Sequence, residues 1–536
     1  MDHLDAEKVH WDAIIVGAGV GGGTLGYELA RAGRRVLFIE KGRSDLQTHK
    51  DAILGQAPED VCDLAAESKD EYRALLTLGG RNPDVVEDAT EGRDQRIITD
   101  LGAGVGGSSA LYGMILERFF PCDFTPRANF QDAGDSTVPE AWPISYEQLK
   151  PWYVKAEKLY RVRGAADPLR PDDAEGHLLA PPKMIDANQE IFDFLRARGL
   201  NPYPAHLACE DVPGCMGCKA SLCPKDCRND AGRICVRPAL RDHGAEMLSE
   251  CRAVRLEAGR TQVEKLICVR RGETIALRAK VFVVAGGALF TPALLLNSSS
   301  AEWPEGLANR SGMVGRNLMR HLANLHLVTP QTPFPFQERL KEIAFNDFYS
   351  SGGRKYGTVQ SFGPLPPVQR VLNRAEPGVR LKLLRIGRPV GEFLWDRVRM
   401  RRLALATIME DLPYAENRVL PEHGADGGVR FQYTLHENDL RRAKEFETEV
   451  VQALRPYPVM TMRGVKSNRT LGHVSGTCRF GDDAETSVLD ATNRAHDLSN
   501  LYVIDASFFP SSGGVNPSLT IAANALRVAS LMAERF

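Results

Sequence analysis

Residues 12–42, DAIIVGAGVGGGTLGYELARAGRRVLFIEKG, limit the fold more than any other stretch of this chain. AIIVGAG is an apolar run ending in glycine, TLGYELARAG has helical spacing and a glycine stop, and RVLFIE is a second apolar run. Such runs suit a parallel sheet covered on both faces. Gly17, Gly19 and Gly22 form G-x-G-x-x-G between the first strand and the helix. The first glycine makes the turn, the second lets a pyrophosphate approach the backbone, and the third packs helix on strand. The helix N-terminus then meets the phosphate charge. Glu40 ends the second strand, placed so that its carboxylate can accept from ribose hydroxyls. Strand, helix, second strand and acid together predict a dinucleotide site rather than a structural glycine turn.

Similar strand–glycine–helix units recur. GAGVGGSSALYGMILERF occupies 102–119, AKVFVVAGGALFTPALLLNS occupies 279–298, and the chain ends in NLYVIDASFFPSSGGVNPSLTIAANALRVASLMAERF. Units at the start, middle and end predict a discontinuous nucleotide-binding domain with a second domain inserted. SYEQLKPWYVKAEKLYRV and ENDLRRAKEFETEVVQAL predict helices, and the alternation of RLALATIME and GVRFQYTL predicts strands. Residues 43–100 are polar and show no clear period.

The charge balance, 67 Lys and Arg against 69 Asp and Glu, gives −2 and no broad electrostatic case for nucleic acid or an anionic membrane. The longest apolar candidate, VFVVAGGALFTPALLL, is short, broken by glycine and holds a proline, so no membrane-spanning segment is predicted. The start, MDHLDAEKVHWD, lacks a signal-peptide apolar region, which leaves the cytoplasm as the expected location. Of eleven cysteines, Cys209, Cys215, Cys218, Cys223, Cys227 and Cys235 crowd one segment. An odd count without a secretion signal argues against a disulfide framework.

Four segments together resemble the glucose–methanol–choline (GMC) family of FAD-dependent oxidoreductases: the N-terminal fingerprint, GAGVGGSSALYGM, VVAGGALFTPALLLNS, and the stretch from HVSGTCRFG to the final helix. MVGRNLMRHL, residues 313–322, is also similar to the family. The resemblance implies an α/β fold. A Rossmann-like FAD-binding domain would be built from 1–119, 209–330 and 463–536, with 120–208 as substrate-side or lid segments. Residues 331–462 would form an inserted α+β substrate domain on an antiparallel sheet. It places Gly104, Gly106, Gly107 and Ser108 against the flavin and its phosphates, Val254 at the adenine, and Asp505 at the ribityl–pyrophosphate. Tyr112 falls near the flavin, with core packing as the alternative.

By the same resemblance His473 is the active-site base and Asn516 its partner position. Asn516 is followed by Pro517, so it also reads as a helix N-cap. Leu111 stands where some sugar-oxidising members carry the histidine that links to FAD, so FAD is expected to be noncovalent. Cys218, Cys223 and Cys227 are spaced like the cluster ligands of certain bacterial sugar dehydrogenases, which leaves an iron–sulfur cluster, a zinc site, or plain thiols or disulfides open. Glu410 and Asp411 could meet a cationic substrate or be structural.

The expected reaction is oxidation of CH–OH to carbonyl, with hydride passing to flavin N5 and an acceptor, oxygen or another, that the sequence does not name. A carbohydrate or amino-sugar alcohol is the first expectation for the small-molecule substrate, and a sterol or aliphatic alcohol the second. An electron-transfer subunit of a complex and a noncatalytic binding protein are the alternatives of other classes.

Overall fold

The computed structural model describes residues 6–61, 69–91, 95–130, 132–170, 176–215, 217–334, 341–368, 388–421, 428–465 and 471–534. The opening unit forms as its apolar runs require. Strand His10–Val16 lies between strands Val36–Ile39 and Glu273–Val284 in parallel register, and the helix Val20–Arg31 returns across the sheet. Glu246–Leu248 extends one side, and Leu501–Val503 adds in parallel to the C-terminal part of Glu273–Val284. The N-terminal part of that strand turns away into an antiparallel hairpin with Val263–Arg270 and Cys251–Ala258. One seven-stranded sheet therefore draws on chain segments more than 450 residues apart. The C-terminal helix Ser518–Ala533 is buried along most of its length and packs against both Val20–Arg31 and the helix Tyr146–Tyr160.

A second, six-stranded sheet is antiparallel throughout. Its order is Val459–Arg463, His321–Val328, Leu403–Glu410, Gly357–Ser361, Ile343–Phe345, Tyr203–Pro204. Helices Asp186–Ala197 and Glu437–Ala453 cover one face, with Ile191, Leu195, Phe446 and Val450 against Leu322, Val359 and Leu405. Both helices are amphipathic, so this face forms a core of its own. The bounds drawn from sequence differ here: His321–Val328 falls inside 209–330 and Tyr203–Pro204 inside 120–208, yet both hydrogen-bond into this sheet. A strand's sheet is chosen by its distant partners, which local pattern does not carry.

A third, four-stranded sheet joins Arg418–Leu420 and Val429–Gln432 to Val85–Asp88 and Gln95–Ile98. The last two strands lie in the stretch that showed no period. The helix predicted at 145–162 spans Tyr146–Tyr160, with a capping box between Ser145 and Gln148.

Candidate active site

One cavity of about 1130 Å³ runs from the end of strand His10–Val16 to the loops that carry Phe362 and His473. Gly17 and Gly19 line its first section. Gly17 has φ +103°, and a Cβ there would lie 2.3 Å from the Ala285 carbonyl oxygen, so only glycine fits. Gly19 opens the helix Val20–Arg31 and faces open space, with nothing within 4 Å of an added Cβ. Gly22 lies outside the lining; its Cβ would meet the Gly17 carbonyl at 2.1 Å, the close helix–strand approach expected of the third glycine.

Glu40 also faces the cavity, and its carboxylate accepts from the backbone N–H of Ala18 at 3.0 Å, Gly42 at 2.9 Å and Gly104 at 3.0 Å. It thus ties the 17–19 turn to the 102–108 loop. Gly106 N–H strengthens that tie by donating to the Ala18 carbonyl at 3.0 Å. Gly107 and Ser108 line the cavity; Gly104 and Gly106 stand behind them.

Val254 reaches the cavity from strand Cys251–Ala258. A bulge between Ala253 and Arg255 leaves Val254 outside the register of the ladder. Asp505 lines the cavity from the end of Leu501–Val503. Its carboxylate accepts from Gly287 N–H at 2.8 Å, Ser507 N–H at 2.8 Å, and the Thr291 and Ser507 hydroxyls. Leu111 and Tyr112 line the wall beyond. The Tyr112 hydroxyl is 2.7 Å from Ser518 Oγ, and burial raises its pKa to about 12.

His473 stands at the far section, on a loop that bridges Met319 through Ser475. Its φ is +58°, a left-handed conformation that a non-glycine residue keeps only when its surroundings impose it. Its Nδ1 lies 2.9 Å from Nδ1 of His321, the first residue of strand His321–Val328. His321 Nε2 in turn lies 2.8 Å from the Gly513 carbonyl and 3.2 Å from the Ser512 carbonyl. Carbonyls only accept, so His321 carries its proton on Nε2. Burial lowers the His321 pKa to about 4, so the ring is neutral and its Nδ1 is a lone pair. The proton between the rings therefore belongs to His473 Nδ1, which leaves His473 Nε2 unprotonated. Burial holds the His473 pKa well below the ordinary imidazole value, with His321 and Lys341 adding to the effect. The site holds a neutral base with its tautomer fixed.

Behind His321 lies a buried polar layer. Glu410 accepts from Gly513 N–H at 3.2 Å and pairs with Lys355, which also meets Asp123 at 2.5 Å. Asp411 accepts from Arg320 N–H at 3.1 Å and the Tyr433 hydroxyl at 2.6 Å. Neither carboxylate lines the cavity, so both take the structural reading. Together they hold the 512–514 turn whose carbonyls orient His321. His321 was within reach of sequence reasoning, since it sits in MVGRNLMRHL, but nothing local gives it a role.

Asn516 corrects one expectation. The helix begins at Ser518 with Pro517 in the cap position and no side-chain cap bond, so Asn516 is not the cap. Its Oδ1 is buried without a hydrogen-bond partner among the described residues, and Asn516 itself lies outside the cavity lining, next to Pro517 and Ser518, which line it.

The cysteine segment forms a wall of the same cavity through Gly217–Ser221. Cys223 Sγ lies 3.4 Å and Cys215 Sγ 3.8 Å from Cys227 Sγ. Among the described residues, no group of three or more His, Cys, Asp or Glu is set to hold a metal ion. The iron–sulfur and zinc readings of Cys218, Cys223 and Cys227 are therefore without support. Among the same residues no helix is long and apolar enough to cross a membrane.

A cavity lined by glycines on one side and by a neutral histidine on the other accords with what comparison with known proteins finds. Profiles described as GMC oxidoreductase match residues 11–323 and 413–525. The chain belongs to the GMC oxidoreductase family. It is 29% identical over 559 residues to paromamine 6'-oxidase of Streptomyces fradiae, covering 99% of this chain and 93% of that protein. It is also 29% identical to 6'''-hydroxyparomomycin C oxidase of Streptomyces lividus, over 99% of this chain and 92% of that one. Pyridoxine 4-oxidase from Mesorbium loti shares the fold, with a TM-score of 0.65 at 21% identity over 98% of this chain and 99% of that chain. This GMC oxidoreductase is an enzyme acting on CH–OH groups.

Proposed function

We propose that the cavity holds FAD noncovalently and that the enzyme oxidises an alcohol of the carbohydrate or amino-sugar class. The observation that carries this reading is the unprotonated Nε2 of His473, fixed by His321, at the end of a cavity whose other section suits a dinucleotide. The residues fit FAD. Gly19 faces open space at a helix N-terminus, Val254 lines the cavity at a strand bulge, and Asn516 keeps a buried oxygen without a partner among the described residues. Leu111, buried in the wall, has no nucleophile for a covalent link. In this reading the seven-stranded sheet belongs to the FAD-binding part and the six-stranded sheet to the substrate part, with His321–Val328 and Tyr203–Pro204 counted in the second.

In this reading Gly17, Gly19, Gly107 and Ser108 approach the pyrophosphate, and Glu40 and Asp505 keep their loops in place. FAD, when bound, supplies the hydride acceptor. His473 Nε2 takes the hydroxyl proton as the carbinol oxygen gains negative charge. Asn516 hydrogen-bonds the same oxygen and positions it. Of the thiols at 215–227, Cys218 lines the cavity, and no step of this reading uses a metal there. The amino-sugar class rests on two relatives that cover nearly the whole chain and are named for such substrates. A second reading, an aliphatic or sterol alcohol, draws on Phe362, Pro364, Leu365, Pro366 and Pro367, which give the far wall an apolar stretch.

Acid precipitation of the purified protein should leave FAD in a yellow supernatant, and flavin held on the pellet would refute noncovalent binding. Anaerobic addition of paromamine-type amino sugars, simple polyols and long-chain alcohols should bleach the flavin fastest with the amino sugars. Bleaching by aliphatic alcohols alone would favour the second reading.

A further inference from the structure

The whole-chain charge of −2 conceals a local imbalance: residues 388–402 hold five Arg against one Glu and one Asp. This stretch is the helix Arg388–Arg399 with Met400, Arg401 and Arg402 after it. One side of the helix is docked. Trp395 and Val398 pack against Leu327, Leu365 and Ala404, and Trp395 Nε1 donates to the Pro366 carbonyl at 2.9 Å.

The other side is apolar and exposed. Val390, Phe393, Leu394 and Met400 are 54%, 61%, 58% and 50% exposed. They are four of the six large hydrophobic side chains left exposed among the described residues. Single exposed apolar residues are ordinary, but several on one helix face mark an interaction surface. Val390, Phe393, Leu394, Arg397 and Arg401 follow helical spacing, and the Arg397 guanidinium lies 5.8 Å from the Phe393 ring. Both arginines are exposed.

We propose that this helix docks the enzyme onto a lipid surface bearing anionic headgroups. Val390, Phe393, Leu394 and Met400 enter the headgroup–acyl boundary, and Arg397 and Arg401 meet the phosphates. A short helix with an apolar face beside arginines has the make-up of an interfacial helix. The charge imbalance selects an anionic surface. A second copy of this chain would bring the same basic face, setting arginine against arginine across a two-fold contact. The helix also flanks the active-site cavity, since Arg399, Pro366 and Pro367 line it, so docking brings that wall next to the bilayer.

The test sediments the purified full-length protein with phosphatidylcholine vesicles and with phosphatidylcholine–phosphatidylglycerol vesicles. Partition onto the mixed vesicles should exceed that onto phosphatidylcholine by about tenfold or more and should collapse as salt is raised. The double variants Phe393→Glu/Leu394→Glu and Arg397→Glu/Arg401→Glu should each lower that partition on the order of tenfold, with flavin content and melting temperature kept. If the apolar pair alone lowers the melting temperature, the arginine pair decides. Equal partition onto both vesicle types, or parental partition by the arginine pair, overturns the proposal. So does a lipid-free oligomer that Phe393→Glu/Leu394→Glu splits into monomers, which would assign the face to a protein partner.

Discussion

At the residue scale, one proton fixes the polarity of the histidine pair. Because Gly513 and Ser512 offer only carbonyls to His321, the lone pair at the cavity end belongs to His473 Nε2. His473→Ala should keep FAD and slow flavin reduction by about 10²–10⁴-fold in stopped-flow traces, the range for losing a positioned base. His321→Leu removes the acceptor for His473 Nδ1–H and should slow reduction by roughly tenfold or more. His321→Gln can accept that proton and donate to Gly513, so it should recover most of the rate. Equal rates in the Leu and Gln variants would show that His321 only fills space. Burial holds His473 below the ordinary imidazole pKa, so the reduction rate should stay level on both sides of about pH 6.5 and fall only in more acid solution. An apparent pKa at or above that value would contradict a neutral buried base. Asn516→Ala has no cap bond to lose. It should therefore change stability by less than about 0.5 kcal/mol while slowing reduction, and native-rate reduction would remove Asn516 from the reaction.

At the element scale, the turn between strand His10–Val16 and helix Val20–Arg31 tolerates no side chain at its first glycine. Gly17→Ala would push a methyl group against the Ala285 carbonyl in a backbone region that alanine disfavours. The expected cost is about 2 kcal/mol or more, together with loss of bound flavin, read from urea unfolding midpoints and the flavin-to-protein absorbance ratio. Parental stability with full flavin content would mean that the turn can relax. The bulge at Val254 shows the same logic in a strand. A register break sets Val254 at the cavity, at the loss of one ladder pair.

At the scale of the whole molecule, buried groups make stability depend on pH in opposing directions. His321 titrates at about 4 in the folded chain and near 6.5 when unfolded, so the unfolded state binds the extra proton first as pH falls. Its neutral burial therefore favours folding fully above about pH 6.5, and that contribution is lost toward pH 4, about 2 kcal/mol of it by pH 5. Asp411 acts the other way. Burial raises its pKa to about 8, so protonation of the folded state gains on the unfolded state as pH falls. The difference between parent and His321→Gln isolates the histidine. Urea unfolding should show the parent losing about 2 kcal/mol relative to the variant between pH 7.5 and pH 5. A difference independent of pH would mean that His321 keeps an ordinary pKa.

The sequence by itself determined the nucleotide-binding unit, because apolar runs, helical spacing and glycine at fixed offsets act over a few residues. Helices Tyr146–Tyr160 and Glu437–Ala453 and strand Leu403–Glu410 were legible for the same reason. The role proposed for His473 comes from resemblance; as a lone histidine beside glycine it carries no signal of its own. Tertiary structure decided the rest. Val85–Asp88 and Gln95–Ile98 become strands because Val429–Gln432, more than 300 residues on, provides an edge to join. His321 becomes the partner of His473 because an antiparallel sheet and the 512–514 turn meet there. Glu410 and Asp411 turn inward because Lys355, Arg320 and Tyr433 wait inside to pair with them. Pairing energy of this kind depends on which distant groups arrive at hydrogen-bonding distance, and that is set by the packed chain rather than by any local stretch of it.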